Sequence, residues 1–177
     1  MKKFEETILT TRVYQGRILN VFANEVSIEG ELAQREFIEH TGGVCVCGLD
    51  SENNVLMVEQ YRYGAQKFLL ELPAGKLGRG EDPTHCAKRE FLEETGYIAS
   101  SFDFLGHIYP TPAYNSERIS CYVASDLEYV AQNLDEGEHL DVKKVPLSTL
   151  KTMVLNGEIE DAKTAYVILK VCAVKGL

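Results

Sequence analysis

The chain has 177 residues, enough for one domain of ordinary size, and 45% of them are apolar, which argues against a generally disordered protein. The formal net charge of −9 argues against attraction of nucleic acid or of an anionic membrane through the overall field. Any phosphate compound that binds must therefore be held through local cations. The first residues, MKKFEETILTTRVYQG, contain no long apolar run, so we expect neither a signal peptide nor a membrane span, and a cytoplasmic protein.

The cysteines indicate packing rather than a disulfide framework. Their number is odd and no Cys-x-x-Cys motif occurs: Cys45, Cys47, Cys86, Cys121 and Cys172. Cys45 and Cys47 have strand spacing, which points both side chains to one face. We expect all five to be small buried side chains in a reducing compartment.

Residues 1–42 predict a small β region. The stretches VYQGRILNVFANEVSI and LAQREFIEHTGG have strand character and are separated by the turn-like IEGEL. A region of this size is too small for a core of its own. We therefore expect it to pack on something else, a second copy of the chain being one candidate.

Residues 43–177 predict the main domain, in which strands alternate with well-separated helices. The strand candidates VCVCGL, NNVLMVEQYRY and FLLEL precede a helix over 83–95, and FDFLGHIY and RISCYVASDL follow it. An acidic loop, NLDEGEHLD, and the strand VKKVPL then lead to helices at about 148–156 and 161–174. This order predicts an α/β or α+β layered domain.

The helix over 83–95 has the clearest boundaries. Asp82 is a suitable N-cap, Pro83 suits the first turn, and Gly96 suits the position just past the end. Ala87 and Phe91 are four residues apart and can face the core.

This helix crowds three glutamates onto one side, because residues three and four apart are neighbours. Two unit charges about 4 Å apart repel by roughly 4 kcal/mol near a protein surface, and Arg89 neutralises one carboxylate at most. Glu94 also stands in the last turn, where the helix dipole disfavours it. A solvated acidic face is the alternative to a site. The loop LPAGKLGRGE, which leads directly into the helix, favours a hard divalent cation held by Glu90, Glu93 and Glu94.

The stretch GKLGRGEDPTHCAKREFLEETGY resembles the Nudix box, whose fixed residues recur over 23 positions. All seven are matched: Gly75, Glu81, Arg89, Glu90, Glu93, Glu94 and Gly96. Phe91 and Tyr97 occupy apolar positions where aliphatic residues are more usual, a departure that concerns packing rather than metal ligands.

The resemblance implies a Nudix α/β/α sandwich with a mixed sheet, which hydrolyses a nucleoside diphosphate linked to another group. It implies Mg²⁺, with Mn²⁺ as a substitute. By the same resemblance Glu90 and Glu94 are the main metal ligands, and Glu93 and the Ala74 carbonyl contribute. Arg89 would orient these carboxylates, and Gly75 would shape the loop.

Sequence outside the box is similar to the ADP-ribose pyrophosphatase subgroup, from about VYQGRILNV to Val174. The stretches EQYRYGAQKFLLELPAGK and GEIEDAKTAYVILK are similar to that subgroup, and Pro112 follows Tyr97 by 15 residues, like its substrate-type proline. This implies cleavage of ADP-ribose to AMP and ribose 5-phosphate. It also implies a homodimer, with residues 1–42 at the interface and on the substrate side.

The substrate loop departs from the subgroup. In TPAYNSERI, Ala113 replaces the usual glycine and only Glu117 keeps an acidic match. Another sugar nucleotide such as GDP-mannose, or a non-catalytic nucleotide sensor, therefore stays open as an alternative. The expected substrate contacts are Arg62, Gly75, Pro112, Tyr114 and Glu117. For Arg62 a structural ion pair is equally expected, and Tyr114 is at least as well explained as a surface side chain.

The acidic loop supplies the expected general base. The resemblance assigns this role to Glu136 and an additional metal contact to Glu138, and a shift of register by two residues would exchange the two. Ordinary loop charges are the alternative. The four histidines do not group in the sequence, and His139 alone lies beside the expected base.

Overall fold

A computed structural model describes residues 3–134, 137 and 139–177, so Glu136 and Glu138, the expected base and metal contact, lie outside the described residues. The chain divides into two compact units. The first combines Met1–Gly42 with Tyr109–Arg118, and the second combines Gly43–Ile108 with Ile119–Leu177. The segment Tyr109–Arg118, which we placed in the main domain from the sequence, therefore belongs to the same unit as the first 42 residues.

The first unit is built on an antiparallel sheet of three strands in sequence order: β1 (Glu6–Gln15), β2 (Asn20–Ile28) and β3 (Glu31–Glu39). Strands β2 and β3 are joined by a two-residue turn in which Glu29 and Gly30 both have positive φ, 53° and 93°. Such a turn matches the twist of a hairpin. Strand β1 begins seven residues earlier than the sequence pattern indicated, at residue 6 rather than 13.

The segment Tyr109–Arg118 is attached to the end of β3. The Ile38 N–H donates to the Tyr114 carbonyl (2.7 Å), and the Ser116 N–H donates to the Ile38 carbonyl (3.0 Å). The His40 N–H donates to Ser116 Oγ (2.9 Å), and His40 Nδ1 lies 3.6 Å from Glu117 Oε1. The predicted substrate loop is thus held by the backbone of the small sheet.

The second unit contains a mixed sheet of seven strands. They are β4 (Gly43–Leu49), β5 (Asn54–Arg62), β6 (Lys67–Glu71), β7 (Ala74–Lys76), β8 (Tyr97–Ile108), β9 (Ile119–Tyr129) and β10 (Leu140–Pro146). The order is β10-β5-β4-β9-β8, with β6 paired to β5 and β7 to β4. Strands β4 and β9 are parallel, and the other pairs are antiparallel.

Three helices accompany this sheet: α1 (Pro83–Thr95), α2 (Leu147–Leu155) and α3 (Ala162–Lys175). The first has the predicted bounds, and the other two are each displaced by one residue from the prediction. The mixed α/β class expected from the sequence is confirmed. No helix within the described residues combines the length and the apolar character that crossing a membrane requires.

The central strand β4 distributes its side chains between two cores, because successive residues of a strand face opposite sides. Val44 and Val46 pack in a cluster with Phe91 of α1. Cys45 and Cys47 pack in a second cluster with residues of α2 and α3. Helices therefore cover both faces of the sheet, which is the expected α/β/α arrangement. All five cysteines are buried and free, as predicted, and burial raises the pKa of Cys47 to about 12.

Candidate active site

Helix α1 is fixed at both ends by the residues that the sequence indicated. The Asp82 carboxylate accepts the N–H groups of Thr84 (2.9 Å) and His85 (3.0 Å). Gly96 is left-handed at φ 77°, and its N–H donates to the Leu92 carbonyl at 2.8 Å. These caps satisfy helix ends that would otherwise lack partners, so the register of the carboxylates on the helix is well determined.

Gly75 lies against the carboxylate of Glu90. Strand β7 pairs with β4, with Gly75 opposite Val44. A Cβ on Gly75 would stand 1.9 Å from Cδ of Glu90 and 2.2 Å from each of its oxygens. Such a distance is impossible, so a side chain at this position would displace the Glu90 carboxylate, and glycine lets the backbone approach that carboxylate directly.

Arg89 gathers three carboxylates. Its Nε and Nη2 donate to the two oxygens of Glu81 at 3.0 and 3.1 Å, and its Nη1 lies 2.9 Å from Glu90 and 2.8 Å from Glu93. Glu81 also accepts the Gly78 N–H at 2.8 Å. One positive charge among three negative ones leaves this group strongly anionic, as the sequence indicated.

The protonation states of Arg89 and Glu81 follow from this contact. The hydrogen bonds from Arg89 and then from the Gly78 N–H lower the pKa of Glu81 to about 2. The same contact raises the pKa of Arg89 further above its ordinary value. Glu81 is therefore an ionised partner that orients Arg89.

Glu94 joins the helix to the first residue of β7. Its side chain is buried, with the residue only 4% exposed, and its Oε2 accepts the N–H of Ala74 at 3.0 Å. The structure therefore brings together Ala74, Gly75, Glu90 and Glu94.

The donor chemistry of this group suits a hard divalent cation, since it consists of carboxylates and backbone carbonyls. In the part of the chain that the structure describes, no three His, Cys, Asp or Glu side chains converge with the geometry of a metal site. Glu90 and Glu93 contact Arg89, and Glu94 contacts Ala74. The metal roles of these residues remain a prediction.

Arg62 forms the structural ion pair that the sequence left as an alternative. Its Nε and Nη2 both donate to the carboxylate of Glu71 at 2.7 Å, which raises the pKa of Arg62. Glu71 is 1% exposed and also accepts Lys163 Nζ at 2.5 Å, and Lys163 lies 2.9 Å from Asp161. Burial, the largest influence, lowers the pKa of Lys163, but the charges of Asp161 and Glu71 leave it raised.

Glu71 and Lys163 were not singled out from the sequence. The available signal was a carboxylate inside the apolar run FLLEL and a lysine in the first turn of a helix whose N-cap is Asp161. The ion-pair reading of Arg62 is confirmed, and its substrate role stays a prediction.

The remaining substrate candidates lie in the first unit. Pro112 and Tyr114 are exposed, and Glu117 is half-buried beside His40. Tyr114 is 51% exposed, and its backbone carbonyl accepts the Ile38 N–H. Their contact with a substrate stays a prediction.

A family model for the NUDIX domain matches residues 33–166. The chain belongs to the Nudix family. An ADP-ribose pyrophosphatase of Bacillus subtilis (strain 168) is 34% identical over 172 residues, which cover 95% of this chain and 93% of the relative. A methanol dehydrogenase activator of Bacillus methanolicus is 37% identical over 171 residues, which cover 94% and 92% of the two chains.

A solved structure of an ADP compounds hydrolase has the same fold, with a TM-score of 0.84 at 22% identity, and the match covers 99% of this chain and 96% of that one. The protein is thus a Nudix hydrolase similar to the ADP-ribose pyrophosphatases, and the recognition made from the box is confirmed.

Proposed function

We propose that this Nudix hydrolase cleaves the pyrophosphate bond of ADP-ribose, or of a closely related nucleoside diphosphate sugar, in a reaction that requires Mg²⁺. The observation that carries the proposal is the carboxylate of Glu90 lying against the glycine backbone at Gly75, beside the Ala74–Glu94 contact. Similarity to an ADP-ribose pyrophosphatase over 95% of the chain supports the substrate class.

Glu90 and Glu94, with Glu93 and the Ala74 carbonyl, would hold the metal. When bound, Mg²⁺ supplies positive charge for the phosphoryl oxygens and acidifies an attacking water. Arg89 keeps the carboxylates of Glu90 and Glu93 in place, because two hydrogen bonds to Glu81 fix its own guanidinium group.

Arg62 is proposed as a phosphate-binding residue. Its side chain is 39% exposed, and its Nε and Nη2 donate hydrogen bonds to Glu71. Nη1 is then the nitrogen through which a held guanidinium would reach a phosphate oxygen. Pro112, Tyr114 and Glu117 are proposed to contact the rest of the substrate.

The general base is proposed to be Glu136, with Glu138 as a further metal contact, and both lie outside the described residues. A carboxylate suits this role, because a metal already acidifies the water and a modest proton acceptor then suffices. Parallel substitutions Glu136→Gln and Glu138→Gln would assign the base, because loss of the base lowers kcat with little change in metal affinity.

A homodimer in the cytoplasm is proposed. The first unit exposes many large apolar side chains on and around its three strands: Phe4, Ile8, Leu9, Val13, Tyr14, Ile18 and Leu32. A small sheet with so much exposed apolar area is better explained by a partner surface than by solvent. Sedimentation equilibrium would test this, and a monomer at micromolar concentration would contradict it.

Two other functions each have an observation that favours testing them. Ala113 replaces a glycine in the substrate loop, which favours testing GDP-mannose and other sugar nucleotides. The 37% identity to the methanol dehydrogenase activator of B. methanolicus favours testing whether the chain stimulates an alcohol dehydrogenase.

The deciding experiment is product analysis of a panel of nucleoside diphosphate sugars in ¹⁸O-labelled water. We expect ADP-ribose to give AMP and ribose 5-phosphate, with the label in one of them, no turnover in chelator and recovery with Mg²⁺ or Mn²⁺. Glu94→Gln should lower kcat at least about 100-fold, since even residues one shell away from a metal change activity 10–100-fold. An amide still accepts the Ala74 N–H, so this variant should stay folded.

A strong preference for GDP-mannose would replace our substrate assignment. Absence of hydrolysis with every metal and substrate, together with nucleotide binding, would identify a sensor instead of an enzyme.

A further inference from the structure

The end of the catalytic helix is held by the chain that follows strand β9. The Asn133 N–H donates to the Glu93 carbonyl (3.1 Å), and the Gln132 side-chain amide donates to the Glu94 carbonyl (2.6 Å). The Val130 N–H donates to the Gly96 carbonyl (2.8 Å). Three donors from one short segment therefore meet three carbonyls at or just past the last turn of α1.

These contacts fill positions that a helix leaves open. The last four carbonyls of a helix have no partner within it. In α1 the Leu92 carbonyl accepts the Gly96 N–H, and those of Glu93 and Glu94 accept donors from residues 132–133. The partial negative charge at a helix end disfavours nearby carboxylates, so donors at this end also favour the two glutamates.

The approach of the two segments explains the last glycine of the box. A Cβ on Gly96 would stand 2.7 Å from the Gln132 backbone nitrogen and 2.8 Å from the Tyr129 ring. Gly96 thus serves both the left-handed turn and the close contact. Most contacts of the segment use backbone groups, and the one to Glu94 uses a side chain that substitution can remove.

We propose that Gln132 is a positioning residue of the catalytic centre, which fixes the last turn of α1 and with it the carboxylates of Glu93 and Glu94. The proposal rests on the proposed function, in which these carboxylates serve the metal. Gln132 is exposed, so its replacement does not disturb a core.

The test replaces Gln132 by Met, which keeps the length of the side chain and removes the donor. Amide hydrogen exchange at Gly96, whose N–H closes the last turn, should become about fivefold faster, the factor of one ordinary hydrogen bond. Mn²⁺ affinity, measured by calorimetry on the resting protein, should fall by about the same factor for the same reason.

The kinetic signature separates positioning from a general loss of folded protein. The Mg²⁺ concentration for half-maximal activity should rise about fivefold, with the KM for ADP-ribose at saturating Mg²⁺ changing less than about twofold. A merely structural role would lower kcat through a smaller active fraction and leave the metal dependence alone.

Asn133→Ala is the matched control, because it removes a neighbouring side chain and keeps the backbone N–H that bonds Glu93. In all three measurements it should stay within about twofold of the wild type, a smaller effect than the fivefold change expected from losing one hydrogen bond. Gln132→Lys restores a donor and should recover slow exchange at Gly96. The proposal is overturned if Gln132→Met matches Asn133→Ala, or if Gln132→Lys exchanges as fast as Gln132→Met.

The two proposals fail in different ways. If the wild type does not hydrolyse ADP-ribose, the function is wrong, while hydrogen exchange and Mn²⁺ affinity still test Gln132. If the wild type is active and Gln132→Met changes neither exchange nor metal dependence, the function stands and the role of Gln132 is wrong.

Discussion

Lys163 is expected to be the most costly single lysine to replace in the second unit. Its side chain is 12% exposed and contacts Glu71, which is 1% exposed, and Asp161. Substitution by Met leaves both carboxylates without this cation. Breaking a buried ion pair from one side costs about 3–5 kcal/mol. Because Arg62 still holds Glu71 through two hydrogen bonds, we expect the lower end of that range.

Urea unfolding would measure this loss, and a cost of about 3 kcal/mol should lower Tm by roughly 6–12 °C in a chain of this length. Lys67 offers a matched control. It pairs with Glu160, but both side chains are about half exposed, at 49% and 52%. Lys67→Met should therefore cost less than about 1 kcal/mol. Equal losses of unfolding free energy for the two variants would refute the reasoning, because burial would then have no influence on how much these ion pairs stabilise the fold.

Two further predictions concern the box itself. Gly75→Ala places a Cβ 1.9 Å from Cδ of Glu90, so this carboxylate must leave its position. Turnover should fall below about 1% of the wild type, while the free energy of unfolding should fall by about 1 kcal/mol or less because the end of a flexible side chain can move. Near-normal turnover would contradict the close approach. The pKa of Glu81 is lowered from 4.5 to about 2 in the folded protein. The stabilisation that Glu81 contributes to the fold is therefore complete above pH 4.5 and is lost as the pH falls towards 2. The difference in unfolding free energy between the wild type and Glu81→Gln should shrink across that interval in urea titrations, and a constant difference would show that Arg89 does not depend on the charge of Glu81.

The sequence was sufficient for α1 because its boundary signals are local. Asp82, Pro83 and Gly96 act on backbone groups within four residues, and the structure uses Asp82 and Gly96 as caps. The sequence was insufficient for β7, a three-residue strand that the predicted loop contained. Strand β7 exists because Gly75 pairs with β4, and such pairing leaves no local pattern.

Contacts between distant parts of the chain were also missed. Glu71 and Lys163 are separated by 92 residues, and the sequence around either residue does not indicate that it contacts the other. The attachment of Tyr109–Arg118 to β3 likewise depends on backbone hydrogen bonds at Ile38, a residue of no special character. Residues whose partners are near in the sequence leave a local pattern, whereas distant partners leave one only where a family motif contains them.

The charges around the candidate site predict that the proposed reaction depends on metal. Two groups of ion pairs, one around Arg89 and one around Glu71, together with the buried Glu94 contain three cations and six carboxylates: Arg62, Arg89 and Lys163 with Glu71, Glu81, Glu90, Glu93, Glu94 and Asp161. Each of the three cations already contacts at least one carboxylate. A pyrophosphate adds further negative charge to this excess of three. Its binding is therefore unfavourable until divalent cations reverse the sign of the local field, so metal should be needed for substrate affinity as well as for the chemical step.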